Sequence, residues 1–269
     1  MTTRFVERVA VEIAGEGDAV LMLHGLGGTS NVWTPLLAAL GRHRTLRPDL
    51  PGSGRSDRVE GPLTIATFVD AMRRVCDADG VERAHVVAHS LGAIVALHLA
   101  VESPSLVRSL ILFGPLAAPP DPARVAMRAR ADAARRGGVA GMQDLAETLL
   151  TSATASETRA RRPLAVALIR ELVMRQPADG YARTCEALAA ADPADVTQVA
   201  CPTLLVTGDE DTVAPAQSVR HLASRIPGSR VEVLTRCGHW TPIERPEDCA
   251  ALLRSFLQRH RRAEAHATR

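Results

Sequence analysis

Ser90, His239 and an acid within Asp209-Glu210-Asp211 are the residues whose types and settings suit one chemistry, attack by an activated hydroxyl. Ser90 lies in Ala88-His89-Ser90-Leu91-Gly92, where a buried apolar run at 84–88 meets an apolar helical pattern. A tight strand-to-helix turn at that point pushes a hydroxyl out at the C-terminal edge of a sheet. Small residues two before and two after it let strand and helix approach. Ala88 stands where glycine is usual and is still small. The same place also suits a serine that merely caps a helix. A hydroxyl becomes a nucleophile when a histidine takes its proton and a carboxylate holds that histidine's tautomer and cation. His239 follows the apolar run 231–234 in Arg236-Cys237-Gly238-His239-Trp240, where Gly238 gives the ring room, and Asp211 follows the run 203–207. His85 and His98 fall inside a strand and a helix and read as structural, while His260 and His266 belong to the terminal stretch. Acyl transfer also needs two backbone N–H donors for an oxyanion. The N–H of Leu91 supplies one, and the loop His24-Gly25-Leu26-Gly27-Gly28 stands ready for the other. That loop lacks the spacing of a dinucleotide fingerprint and the chain has no lysine, so a phosphate cradle does not fit.

The elements that must position these residues alternate along the chain. A strand with part alternation (Val9, Val11, Ile13) precedes a buried strand over 19–23 that runs into the glycine loop. A short helix over 33–40, a strand over 44–47 and a turn-rich loop over 49–56 follow. Apolar residues at helical spacing over 65–78 end at Gly80, a helix stop. The strand over 84–88, a helix from Leu91 that Pro104 prevents from continuing, and a strand over 107–113 come next. From 116 to 195 the β-branched runs vanish, and alanine, leucine and arginine at helical spacing take over, with 11 Arg and 10 acids. Strand and helix patterns then return over 203–207, 215–225, 230–234 and 246–259. This alternation predicts an α/β fold with a mostly parallel sheet, whose core is residues 1–115 and 196–269 and whose helical insertion is 116–195. Ser90, Asp211 and His239 then all sit in loops at strand C-terminal ends, the crevice where open α/β sheets place their sites.

With these motifs in view, the sequence is identified as resembling the α/β-hydrolase family. The resemblance runs from about residue 9 to 257. It rests on His24-Gly25-Leu26-Gly27, Asp49-x-x-Gly52-x-Gly54-x-Ser56, the Ser90 turn, Gly208-x-x-Asp211-x-x-x-Pro215 and Gly238-His239-Trp240. It implies Asp211 as the acid, with Asp209 and Glu210 as runners-up, and Leu26, with Gly27 behind it, as the second oxyanion donor beside Leu91. It implies a lid at 116–195, in which Arg175-Gln176-Pro177-Ala178-Asp179-Gly180-Tyr181 and Cys185-Glu186-Ala187 look like the lid of 3-oxoadipate enol-lactonases. The implied activity is metal-free, cofactor-free hydrolysis of a small ester or lactone through an acyl-enzyme. A carboxylated lactone would want a lid guanidinium, for which Arg135, Arg136 and Arg175 are candidates alongside the reading of solvated helix faces. Trp33 and Trp240 either wall an acyl pocket or pack the core. Glu244 reads as a surface residue near the last helix. Other readings of the same fold are a carbon–carbon bond hydrolase, to which Trp240 beside the histidine points, and a ligand receptor with slow turnover. The proline-containing glycine loop of the carbon–carbon hydrolases is missing at 25–31.

Composition narrows the remaining classes. All 32 basic residues are arginine, which removes lysine Schiff-base chemistry and a lysine-anchored pyridoxal cofactor. Four of those arginines, against one acid, lie in residues 259–269. The formal net charge of +2 therefore belongs to the terminal stretch and does not mark a nucleic-acid surface. Five widely spaced cysteines with no C-x-x-C pair read as reduced thiols of a cytoplasmic protein. No apolar run reaches the length of a membrane span or signal peptide.

Overall fold

The computed structural model describes residues 2–56 and 61–267, with the side chains of the closing helix up to residue 260. Its centre is an eight-stranded sheet: β1 (Thr2–Val6), β2 (Val9–Ala14), β3 (Asp18–Leu23), β4 (His43–Pro48), β5 (Ala84–His89), β6 (Val107–Phe113), β7 (Thr203–Gly208) and β8 (Arg230–Leu234). The spatial order is β1-β2-β4-β3-β5-β6-β7-β8. Strand β2 runs antiparallel to both its neighbours, and every pairing from β4 to β8 is parallel. The central strands are apolar without alternation because a parallel strand covered by helices on both faces is buried on both. Register decides where the chemistry lies. Leu23 pairs with Ala88, His89 with Phe113, Phe113 with Val206, and Gly208 with Leu234, so the chain leaves five strands at one level.

Helices α1 (Ile65–Ala78) and α2 (Leu91–Glu102) connect the central strands, and a 3-10 segment, Ser30–Leu40, follows β3. Between β6 and β7 stand α3 (Asp121–Ala153), α4 (Ser156–Arg161), α5 (Pro163–Met174) and α6 (Ala178–Ala189). α3 breaks at Gly138, where φ is +53° and the helix changes direction, and it packs on α5 and α6. α7 (Ala216–Ser224), α8 (Thr241–Glu244) and α9 (Pro246–Ala267) complete the chain. No helix among the described residues is long and apolar enough to cross a membrane.

One strand is absent from the sequence reading. β1 forms a hairpin with β2 through Glu7-Arg8, yet Thr2-Thr3-Arg4-Phe5 is exposed throughout. An edge strand that buries neither face has no apolar pattern to betray it. The closing helix also continues beyond the expected residue 259 to Ala267.

Candidate active site

Ser90 takes φ +53° and ψ −115°, a conformation that costs a non-glycine residue of order 1–3 kcal/mol and persists only where its surroundings over-determine it. Its N–H donates to Phe113 O at 3.0 Å, and its carbonyl accepts the N–H of Ala93 at 2.8 Å, so strand and helix hold the turn from both sides. α2 begins so close to the end of β3 that a Cβ on Gly92 would stand 2.3 Å from Leu23 O. The small residue two places after the serine is therefore obligatory. Ala88, two places before it, is fully buried and fits.

The Ser90 hydroxyl lies 2.9 Å from Nε2 of His239, whose Nδ1 lies 2.9 Å from Oδ2 of Asp211. The other oxygen of Asp211 accepts the N–H groups of Val213 and Ala214, both at 2.8 Å. Burial raises the Asp211 pKa, but the charge and hydrogen bond of His239 and these two amides outweigh it and bring it down to about 2. Asp211 is thus ionised and oriented, and the Ser90–His239–Asp211 chain can move a proton off the hydroxyl and stabilise the imidazolium formed. The ring of His239 sits over Gly114, where a Cβ would come within 2.9 Å of it. Asp209 and Glu210 are turned to other work: Asp209 accepts the N–H of Cys237 at 3.2 Å, and Glu210 that of Ser156 at 2.9 Å.

The loop after β3 runs directly against Ser90, since a Cβ on Gly25 would lie 2.9 Å from Cβ of that residue. It is pinned by His24. Desolvation lowers that ring's pKa and keeps it neutral, so Nδ1–H donates to Gly25 O at 2.8 Å and Nε2 accepts the N–H of Leu50 at 2.8 Å. Gly28 N–H also donates to Gly25 O, at 3.0 Å. A peptide's N–H points opposite to its carbonyl, so the two donors on Gly25 O fix the direction of the Leu26 N–H. Leu91 is the first residue of α2 and has no carbonyl of its own helix to bond. Among the described residues no hydrogen bond to either N–H is found.

A family model described as the alpha/beta hydrolase fold matches residues 18–246, spanning every element just described from β3 to α8. The chain belongs to that family. The enol-lactonase from Burkholderia xenovorans LB400 superposes with a TM-score of 0.87 at 27% identity, covering 96% of this chain and 100% of that one. A thermophilic esterase from Thermogutta terrifontis superposes with a TM-score of 0.87 at 26% identity, covering 94% and 93%. RutD of Pseudomonas savastanoi pv. phaseolicola, named for carbamate hydrolysis, is 31% identical over 246 residues, 89% of this chain and 94% of its own.

Within this hydrolase fold several buried polar residues escaped the sequence reading, among them His89 and Glu244. His89 donates from Nε2 to the carbonyl of His239 at 2.9 Å, and its ring centroid lies 4.9 Å from that of His239 and 5.5 Å from that of Trp240. Desolvation takes its pKa down to about 3, so it is a neutral prop for the backbone of His239 and adds no charge beside that ring. Glu244 is the larger surprise. Expected at the surface, it is fully buried. It accepts the N–H of Ala155 (2.7 Å), Trp240 (3.0 Å) and Gly238 (3.2 Å) and the hydroxyl of Thr158 (2.8 Å). Burial raises its pKa, and the four donors work against that. His239 N–H in turn donates to Ala153 O at 2.9 Å, so the histidine loop is fastened to the joint between α3 and α4. The available signal was local: an acid four residues after Trp240, in the first turn of a helix, can reach back to that residue's N–H much as in a capping box.

The proposed pocket residues need correction. Trp33 is fully enclosed, its ring 6.2 Å from that of Phe113, and Trp240 is packed against His89; both indole nitrogens are buried without a partner among the described residues. They pack behind the machinery. Arg135 is exposed and bonds Glu186 through both its Nη atoms, with Asp179 3.6 Å from its Nε. Arg136 is exposed, and Arg175, its side chain 79% exposed, pairs with Glu171 at 3.0 Å. Solvated helix faces explain all three. The arginine committed to the interior is Arg47, and Arg55, itself exposed, reaches in to buried acids. Arg47 pairs with Glu12 at 2.7 Å, and Arg55 bridges Glu12 at 2.9 Å and Asp49 at 2.8 Å. Asp49 also accepts the N–H of Ser30 at 2.8 Å, which ties the loops after β3 and β4 together; hydrogen bonds from Arg55 and Ser30 lower its pKa against the pull of burial.

Proposed function

We propose that the chain is a serine hydrolase of a small carboxylic ester or lactone, with residues 116–195 as its lid. The observation that carries this reading is the pair of 2.9 Å contacts through His239, with Ser90 on one nitrogen and a buried, ionised Asp211 on the other. His239 Nε2 takes the proton of Ser90 as Oγ bonds the substrate carbonyl carbon, and the carbonyl electrons move to oxygen, which the N–H groups of Leu26 and Leu91 receive. Collapse expels the alkoxide or enolate, which takes the proton back from His239. Water then gives its proton to His239 and attacks the acyl-enzyme, freeing the acid and restoring the Ser90 hydroxyl. The enol-lactonase and esterase likenesses support an oxygen ester over other acyl groups. The free cysteines fit a reducing compartment, and we place the protein in the cytoplasm.

Turnover of p-nitrophenyl acetate and of a carboxylated enol-lactone, measured side by side, tests this. Ser90→Ala should lower kcat/KM by roughly a thousandfold or more, with the melting temperature at or slightly above that of wild type because the strained turn loses only an oxygen. A Ser90→Ala protein that keeps most of its turnover would refute the mechanism.

A further inference from the structure

We infer that Gln176 is a positioning residue for the oxyanion donors, the point at which the helical insertion holds the loop after β3 in its working shape. The inference rests on the serine-hydrolase reading above. Gln176 stands between α5 and α6 and is 5% exposed. Its amide works in both directions. Nε2 donates to Leu172 O at 2.8 Å and Gly28 O at 3.1 Å and also faces Gly27 O at 3.3 Å, while Oε1 accepts the N–H of Gly54 at 3.1 Å. The bond to Leu172 locks the side chain onto the end of α5. The other contacts cross to the core: to Gly27 and Gly28 of the loop after β3, and to the loop that Asp49 organises.

Apolar packing converges on the same spot. A Cβ on Gly27, whose φ is +76°, would meet Val173 of α5 at 3.1 Å and Tyr181 of α6 at 3.6 Å, and a Cβ on Gly180 would stand 2.1 Å from Gly52 O. At Gly180 and Gly52 both faces are stripped to backbone, while at Gly27 the side chains of Val173 and Tyr181 close on a bare turn, so the insertion lies directly on the loops after β3 and β4.

The consequence follows from the turn. The direction of the Leu26 N–H is set by Gly25 O, and one of the two donors on that oxygen is the N–H of Gly28. Residues 26–28 include two glycines, which leave the turn free to rotate unless its remaining carbonyls are held. Gln176 holds those of Gly27 and Gly28. An oxyanion hole lowers a barrier only when its donors are already aimed where charge develops, so an unseated Gln176 weakens transition-state binding and leaves ground-state binding nearly unchanged.

Gln176→Glu separates the arms. It is nearly isosteric and keeps an acceptor for Gly54, but it turns an oxygen toward the carbonyls of Gly27 and Gly28. Gln176→Met, which leaves those carbonyls unbonded without repelling them, stands beside it in case the Glu variant fails to fold. For p-nitrophenyl acetate, kcat should fall about 10- to 100-fold. Affinity for an alkyl boronic acid, which forms a tetrahedral adduct on Ser90, should fall by the same factor. Inhibition by the product acid should stay within about 2-fold, and the shape of the pH–rate profile should persist because His239 and Asp211 are untouched. A lower melting temperature with unchanged kcat and boronate affinity would make Gln176 a structural residue and overturn the inference. Wild-type enzyme that binds no boronate and hydrolyses no ester would overturn the serine mechanism instead.

Discussion

Glu244 and Gln176 fasten the same helical insertion to two different loops, and they do so with side chains of opposite character. At the histidine loop every unpaired backbone group facing the joint is an N–H, of Ala155, Gly238 and Trp240, with the Thr158 hydroxyl beside them; four donors call for a carboxylate, despite the cost of burying its charge. Between the loops after β3 and β4 the unpaired groups are mixed, the N–H of Gly54 and the carbonyls of Gly27 and Gly28, and only an amide serves both. The identity of a buried polar residue is thus dictated by the backbone groups that the fold leaves unbonded around it.

The comparison breaks first at Glu244. Glu244→Ala leaves four buried donors without an acceptor and frees the loop that carries His239. It should destabilise the protein by about 3–5 kcal/mol and lower turnover, both readable by chemical denaturation beside an ester assay. Glu244→Gln should cost less, about 1–3 kcal/mol, since three of the four donors share one oxygen that the amide can keep in place. Equal losses for the two variants would show that charge, and not donor count, decides this site.

Gln176 comes next. Its Glu variant should fail through kcat, whereas Glu244→Gln should fail mainly through stability. The sheet interior supplies a third case, a buried polar group with no tie to the insertion. His85, bonded to Ser109 Oγ at 2.8 Å, has its pKa lowered by desolvation to about 4. The unfolded chain therefore binds the extra proton between about pH 6.5 and pH 4. The stability conferred by the neutral ring is complete above pH 6.5 and lost as the pH falls through that window, by at most on the order of 3 kcal/mol. His85→Gln should flatten the fall in melting temperature over this range and leave kcat unchanged; an unaltered slope would contradict the assignment. The smallest effect belongs to the outer face of the helical insertion. Arg135→Gln and Arg175→Gln should shift kcat/KM for a carboxylated lactone by less than about 2-fold, since exposed ion pairs contribute little. A 10-fold loss at either position would restore the abandoned substrate-binding role.

What could be read from the sequence follows from the range of the interactions involved. Apolar runs fixed the central strands to within a residue or so, and Ser90, Asp211 and His239 could be found because each follows such a run closely. Glu244 and Gln176 were hidden because their partners are set by tertiary contact: Glu244 meets Ala155, 89 residues away, and Gln176 meets Gly28, 148 residues away. An acid at a helix end reads as solvated until the joint of α3 and α4 is laid over it. The arginines of the insertion failed for the complementary reason: helical spacing tells that a residue is on a helix, while the face that meets solvent is decided by α3 packing on α5 and α6. Arg47 and Glu12 look like ordinary strand-end charges and pair only because β2 lies antiparallel beside β4.

The serine mechanism is met most directly by a fluorophosphonate probe followed by peptide mass spectrometry of the intact protein's digest. One adduct per chain, on the peptide holding Ser90, with activity lost in proportion to labelling and labelling slowed in His239→Ala, is the predicted result. An adduct on another residue, or full activity after stoichiometric labelling, would contradict it.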